Sequence, residues 1–156
     1  MSTSLNYRLT GRGWSECEVH IGERSFVASA SYLSDALGDL CRAFVALVEG
    51  APRVTARFAE EPGEYRWVIE RSDHERARVQ IYSFNETFDR RPDSDGRLEF
   101  EGECRLRTIA GSLLSELQRL LVEHGEAGYR ERWVNHDFPT EQMNALRSAL
   151  SKTAPN

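Results

Sequence analysis

RVTARFAEEPGEYRWVIERSDHERARVQIYSF, residues 53–84, decides the fold. Val54, Ala56 and Phe58 alternate with Arg53, Thr55 and Arg57. Tyr65, Trp67 and Ile69 alternate with Arg66, Val68 and Glu70. Ala77, Val79 and Ile81 alternate with Arg78, Gln80 and Tyr82. Successive side chains of a strand point to opposite faces, so a period of two marks a half-buried strand. Glu61-Pro62-Gly63-Glu64 and Ser72-Asp73-His74-Glu75 are turn signals between these runs. Short turns join neighbouring strands antiparallel. The segment therefore predicts a meander of Arg53–Ala59, Tyr65–Arg71 and Arg76–Phe84. Trp67 and its neighbours face a core, and the arginine-bearing side faces away.

Before the meander, Cys17, Val19 and Ile21 alternate with Glu16, Glu18 and His20. This predicts a strand Glu16–Ile21, a hairpin turn at Gly22-Glu23-Arg24 and a second strand Ser25–Ser31. Tyr7–Thr10 is a further short strand. Leu33, Leu37, Leu40, Phe44 and Leu47 recur at helical spacing and predict a helix from Leu33 to Glu49, capped by Ser34 or Ser31 and stopped by Gly50 and Pro52. After the meander, Asn85–Arg97 reads as a loop, its stretch Arg90–Gly96 without a core residue, and Leu98–Phe100 reads as a short strand. A second long helix runs from Cys104 to His124 on Leu106, Ala110, Leu113, Leu117 and Leu120. Glu126–Val134 reads as a short helix. Thr140 caps a last one, with Glu141 in its positive first turn and Met143, Leu146 and Leu150 inside.

Hairpin-linked strands with segregated helices define an α+β class. The expected form is a two-layer sandwich: an antiparallel sheet, meander plus hairpin, with two long helices on one face and short C-terminal helices. The 156 residues form one domain, 1–156, with an ordered core over 3–151 and a frayed tail at 152–156.

Composition narrows the function by exclusion. Twenty Lys+Arg against 25 Asp+Glu give a net charge of −5, whereas general nucleic-acid binders are basic. No nucleic-acid partner is expected. The apolar run Ala43–Val48 is far shorter than the ~20 residues of a membrane span, so no membrane partner is expected either. The three cysteines, Cys17, Cys41 and Cys104, are widely spaced and form no C-x-x-C, which fits a reducing cytoplasm without disulfides. No P-loop, G-x-S-x-G, H-E-x-x-H or dinucleotide glycine motif occurs. No catalytic residue, metal ligand set or cofactor is expected. Glu99, Glu101 and Glu103 alternate on one strand face ahead of Arg105 and Arg107, and read as a solvated edge rather than a glycosidase pair. Ser112, in a leucine-rich helix, reads as bonded back to a carbonyl one turn earlier.

Two surfaces remain. Arg53, Arg57, Arg66, Arg78 and Tyr82 share the outer face of the meander with Glu70. Such a face is either plain solvated surface or a contact site, since Arg and Tyr are enriched at interface hot spots. Tyr129, Arg130, Trp133 and His136 cluster in 126–138 and are the candidates for a small-ligand pocket. His136-Asp137 with Glu126 or Glu131 is the only cluster to weigh against a plain turn.

The motifs Glu64-Tyr65-Arg66-Trp67, Cys104-Arg105-Leu106 and Glu123-His124-Gly125-Glu126-Ala127-Gly128-Tyr129-Arg130-Glu131-Arg132-Trp133, leading to Phe138-Pro139, resemble a family of small uncharacterised bacterial α+β proteins from GC-rich genomes. The resemblance covers roughly 53–150 and implies a fold but no site. In size, acidity and build the chain also resembles immunity proteins of bacterial toxin systems. Together these readings imply a non-enzymatic protein-binding module of immunity or accessory type, whose partner is another protein or a second copy. A small ligand-binding protein or enzyme is the alternative. With no ligand set at zinc spacing, thermal unfolding with and without a chelator is expected to superimpose.

Overall fold

The computed structural model describes residues 2–152. The elements are β1 (Thr3–Gly11), β2 (Trp14–Ile21), β3 (Arg24–Ser31), α1 (Ala36–Val48), β4 (Arg53–Ala59), β5 (Glu64–Arg71), β6 (Arg76–Phe84), β7 (Arg97–Arg105), α2 (Leu106–Trp133) and α3 (Thr140–Lys152), with a 3-10 turn at Asp93–Asp95. The meander forms as its alternation requires, and the α+β class holds. The strands do not join into one sheet, however. β1-β2-β3 and β4-β5-β6-β7 are separate antiparallel sheets.

The reason lies in β3, which touches β4, β5 and β7 and so lies across the inner face of the larger sheet. Ala28 and Ala30, both fully buried, let the backbones approach. Phe26 meets Tyr65 edge to face, with ring centroids 5.5 Å apart. On β7, a Cβ at Gly102 would come within 3.1 Å of the Ile21 side chain, so glycine lets β2 pack there without displacing it.

β1 is a full nine-residue strand rather than a short one, because Leu5 and Tyr7 both enter the core. Its outer edge is covered by α2. The Leu5 N–H donates to Ser112 Oγ at 2.8 Å, and the Tyr7 N–H donates to Glu116 Oε1 at 2.8 Å. Arg119 donates to the Tyr7 carbonyl. Ser112 thus serves the strand edge and not the preceding turn of its own helix; its hydroxyl returns a bond to the Leu5 carbonyl at 3.3 Å. An open strand edge is a template for aggregation, and these three side chains close this one.

Other boundaries shift for local reasons. Cys104 and Arg105 continue β7, because Phe100, Gly102 and Cys104 keep the strand period opposite Ile81, Val79 and Ala77. Asp35, not Ser34 or Ser31, caps α1, accepting the Gly38 N–H at 3.3 Å. Ser34 Oγ instead accepts the Ala59 N–H. α2 is broken at Gly125 (φ 68, ψ 172), so 126–133 is the expected separate short helix. Thr140 begins α3, but its hydroxyl donates to Glu126 Oε1 at 2.5 Å. Lys152 closes α3, and the rest of the expected tail lies outside the described residues.

One core serves both sheets and the helices. Trp67, Phe44, Leu40, Leu113 and Leu117 are fully buried in it. Cys17, Cys41 and Cys104 are free and buried; burial raises all three thiols, Cys41 to about 12 and Cys104 to about 11. No helix among the described residues is long and apolar enough to cross a membrane. Leu113→Ala leaves a cavity at the junction of these layers and is expected to lower unfolding free energy by about 2–5 kcal/mol in urea titration.

Candidate protein-contact face

The strand register builds the outer face row by row. Arg53, Glu70, Arg78 and Glu103 are direct cross-strand neighbours on β4, β5, β6 and β7. Thr55, Val68, Gln80 and Glu101 form the next row, and Arg57, Arg66, Tyr82 and Leu98 the third. Trp67 and Ile69 point inward, so these rows point away from the helices, as the alternation requires.

The loop 85–96 does not hang free in water. It folds back over β5 as a strap. Arg66 is only 2% exposed, and its guanidinium donates to the Asp89 carbonyl (2.7 Å), the Arg91 carbonyl (2.8 Å), Asp93 Oδ1 (3.0 Å) and Glu64 Oε2 (3.2 Å). Arg57 reaches the same Glu64 oxygen at 2.8 Å and the Asp89 carbonyl at 2.9 Å. Arg53 pairs with Asp93. Thr87 Oγ1 donates to the Glu60 carbonyl at 2.9 Å and accepts the Gly63 N–H at 3.1 Å. Asp89 is buried, just ahead of the stretch 90–96 that reads as free of core residues. The Arg91 guanidinium grips its carboxylate at 2.8–3.1 Å and holds it below the usual carboxylate range. A lowered folded pKa contributes stability that is complete above the unfolded pKa and lost as pH falls through the folded one, so this grip is intact at neutral pH.

Phe84 lies beneath the strap, with the Arg66 guanidinium 4.0 Å from its ring centroid. A Cβ at Gly96 would sit 2.7 Å from that ring, so glycine lets the strap close. The strap holds Phe88 outward, 56% exposed and in the left-handed region at φ 57. A bulge in β7 between its pairings with Ile81 and Tyr82 turns Leu98 to the outer face, 48% exposed beside Tyr82.

The five arginine and tyrosine candidates therefore divide. Arg53, Arg57 and Arg66 are engaged in tying the strap; Arg66 is interior and presents nothing to solvent. Arg78, 3.8 Å from Glu70, and Tyr82 stay on the open β6–β7 half. Sequence reading missed Phe88 and Leu98. The available signal was a pair of aromatics, Phe84 and Phe88, leading into a loop rich in Arg, Asp and Gly.

The second cluster also divides. Tyr129 and Trp133 are fully buried core residues, and their hydroxyl and indole N–H have no partner. Burial pushes the Tyr129 hydroxyl well above its usual pKa, with Tyr7 and Asp35 adding to the shift. Arg130 is outside and pairs with Asp137 at 2.5 Å. His136 alone of the four lines a cleft of about 640 Å³, together with Asp35, Arg42, Glu126 and the chain 135–142. The cleft begins at a strained γ-turn: Val134 sits at φ 80, ψ −64, and the Asn135 N–H donates to the Trp133 carbonyl at 3.0 Å. Among the described residues no three His, Cys, Asp or Glu side chains group as metal ligands.

No family model and no curated protein matches the chain. The resemblance of 53–150 to small uncharacterised bacterial proteins thus gains no family behind it. Among solved structures, a chain of the CdiA-CT/CdiI toxin and immunity complex from Enterobacter cloacae matches at a TM-score of 0.46 and 11% identity, over 75% of this chain and 99% of that one. A likeness that loose carries no conclusion about this chain.

Removing the Arg66 guanidinium leaves the buried Glu64 carboxylate with the half-exposed Arg57 as its remaining guanidinium partner and strips the strap carbonyls of Asp89 and Arg91 of their Arg66 donors. Arg66→Met is expected to cost about 3–5 kcal/mol. Limited proteolysis should then cut first within 86–95, which the wild type protects.

Proposed function

We propose that this chain is a protein-binding module that acts by contact through the outer face of its larger sheet. The observation that carries the reading is Phe88. A large apolar side chain stands in water on a left-handed backbone, a conformation that costs a non-glycine residue about 1–2 kcal/mol. The strap is tied down by Arg53, Arg57, the buried Arg66–Glu64 pair and Thr87, and so holds it there. A preorganised aromatic anchor loses little entropy on docking, which is the property of an interface hot spot. Tyr82, Leu98 and Arg78 provide further residues of interface type on the same face. An immunity or accessory role is the form this takes when the partner is a different protein, since masking a partner needs a rigid surface and no reacting group.

The second reading, a small-ligand binder, is favoured by the cleft at His136 and the strain at Val134. Its wall is polar and its charged residues are largely paired with one another, Arg42 with Asp35 and Asp39, Arg130 with Asp137. Its aromatic candidates are in the core. It ranks behind the contact face for those reasons.

Phe88→Asn removes the ring and places a residue tolerant of the left-handed region. Stability is expected to hold or to rise by up to about 1 kcal/mol, while proteins captured by the wild-type chain from its native host are lost. An unchanged captured set with the variant would sink the contact-face reading.

A further inference from the structure

We infer that the partner this face fits is a second copy of the same chain, docked about a two-fold axis parallel to the strands between β5 and β6; the inference rests on the contact-face reading above. The row Arg53, Glu70, Arg78, Glu103 alternates in charge across four strands. These side chains are 52%, 43%, 48% and 49% exposed, so all four reach solvent, while Arg53 also pairs with Asp93 of the strap, Glu70 with Arg78, and Glu103 with Arg76 within the same chain. An axis along the strands reverses the row without moving it along the sheet. Arg53 then faces Glu103 of the partner subunit, and Glu70 faces Arg78 of the partner subunit. Every position meets its opposite charge. A row with any other order of these four charges, except its own inverse or a two-and-two split, would meet like charges somewhere.

The relief of the face obeys the same symmetry. The strap rises over β5 and the Phe84 end of β6 and leans toward β4 through the Arg53–Asp93 and Arg57–Asp89 contacts, while β7 and the rest of β6 are left open. The axis exchanges β5 with β6 and β4 with β7, so the raised half of each copy covers the open half of the other. Asp89 is anchored on the row of Arg57 and Arg66, which continues into Tyr82 and Leu98. Phe88, next to Asp89, is thereby carried over the half-buried Tyr82 and the exposed Leu98 of the partner subunit. An isologous contact requires this self-complementarity, in which residue i meets j and j meets i.

Size sets the strength. Four strands about 4.8 Å apart and roughly 25 Å long present about 500 Å² per copy, below the roughly 800 Å² of a standard interface. A reversible dimer in the micromolar range is the expected outcome.

The test is sedimentation equilibrium of the full chain from about 5 to 500 μM, with circular dichroism to confirm the fold of each variant. Wild type should dimerise. Glu70→Arg sets arginine against Arg78, and Arg78→Glu sets glutamate against Glu70; each alone should weaken association at least about a hundredfold. An equimolar mixture of the two single variants should recover wild-type affinity as a heterodimer, because each then meets the opposite charge. Both side chains reach solvent, so each variant keeps the fold, at the small cost of a like-charge cross-strand pair within its own sheet. A monomeric wild type at 500 μM overturns the inference, as does a dimer indifferent to both substitutions or a mixture that stays monomeric. A monomer that still captures a different protein through Phe88 overturns only the second copy as partner. A monomer whose captured set is unchanged by Phe88→Asn overturns the contact-face reading too.

Discussion

Glu64 and Arg66 sit two residues apart on β5, a strand buried on both sides, and share a hydrogen bond at 3.2 Å with almost no exposure of either. Two charges removed from water on the outer side of a sheet are costly unless their remaining valences are filled. Arg66 fills its own by taking backbone carbonyls of Asp89 and Arg91 and the Asp93 carboxylate, and those acceptors all belong to one loop. The pair therefore dictates where the loop must lie. With the loop in place, Phe84 is covered, β5 is buried on both faces from Glu64 to Ile69 apart from the half-buried Tyr65, and Phe88 is held outward. Glu64 Oε1 is left without a partner, so the arrangement has little slack.

The opposite side of the molecule is organised by closing strand edges. α2 does so directly, with Ser112, Glu116 and Arg119 taking the free backbone groups of β1. These residues fall at i, i+4 and i+7, one stripe of the helix, while Leu113, Leu117 and Leu120 form the neighbouring stripe that enters the core. One helix thus packs and caps at once. At β7 the edge is shielded by charge, with Glu101 and Glu103 alternating outward and the bulge near Leu98 interrupting regular pairing.

The candidate face follows from both devices. The strap supplies relief, the register supplies the order of charges, and the bulge supplies an apolar floor. None of the three is a property of a single residue. Arg57 and Arg78 read alike in the sequence, each an outward arginine on a strand of the meander, yet Arg57 ties the strap and Arg78 faces solvent.

What the sequence alone determined was everything that local periodicity carries. The three meander strands, the two long helical stripes, the turn glycines and the burial of Trp67, Phe44, Leu40, Leu113 and Leu117 follow from spacing and apolarity, because those act between near neighbours in the chain. Tertiary structure decided what depends on distant meetings. It split the strands into two sheets, because Ala28 and Ala30 are small where β3 crosses and Gly102 is small where Ile21 of β2 packs. It took Tyr129 and Trp133 from a proposed pocket into the core, because the break at Gly125 turns that helix face inward. It made Arg66 an interior residue, because its partners lie 23–27 positions away in a segment with no periodic signal of its own.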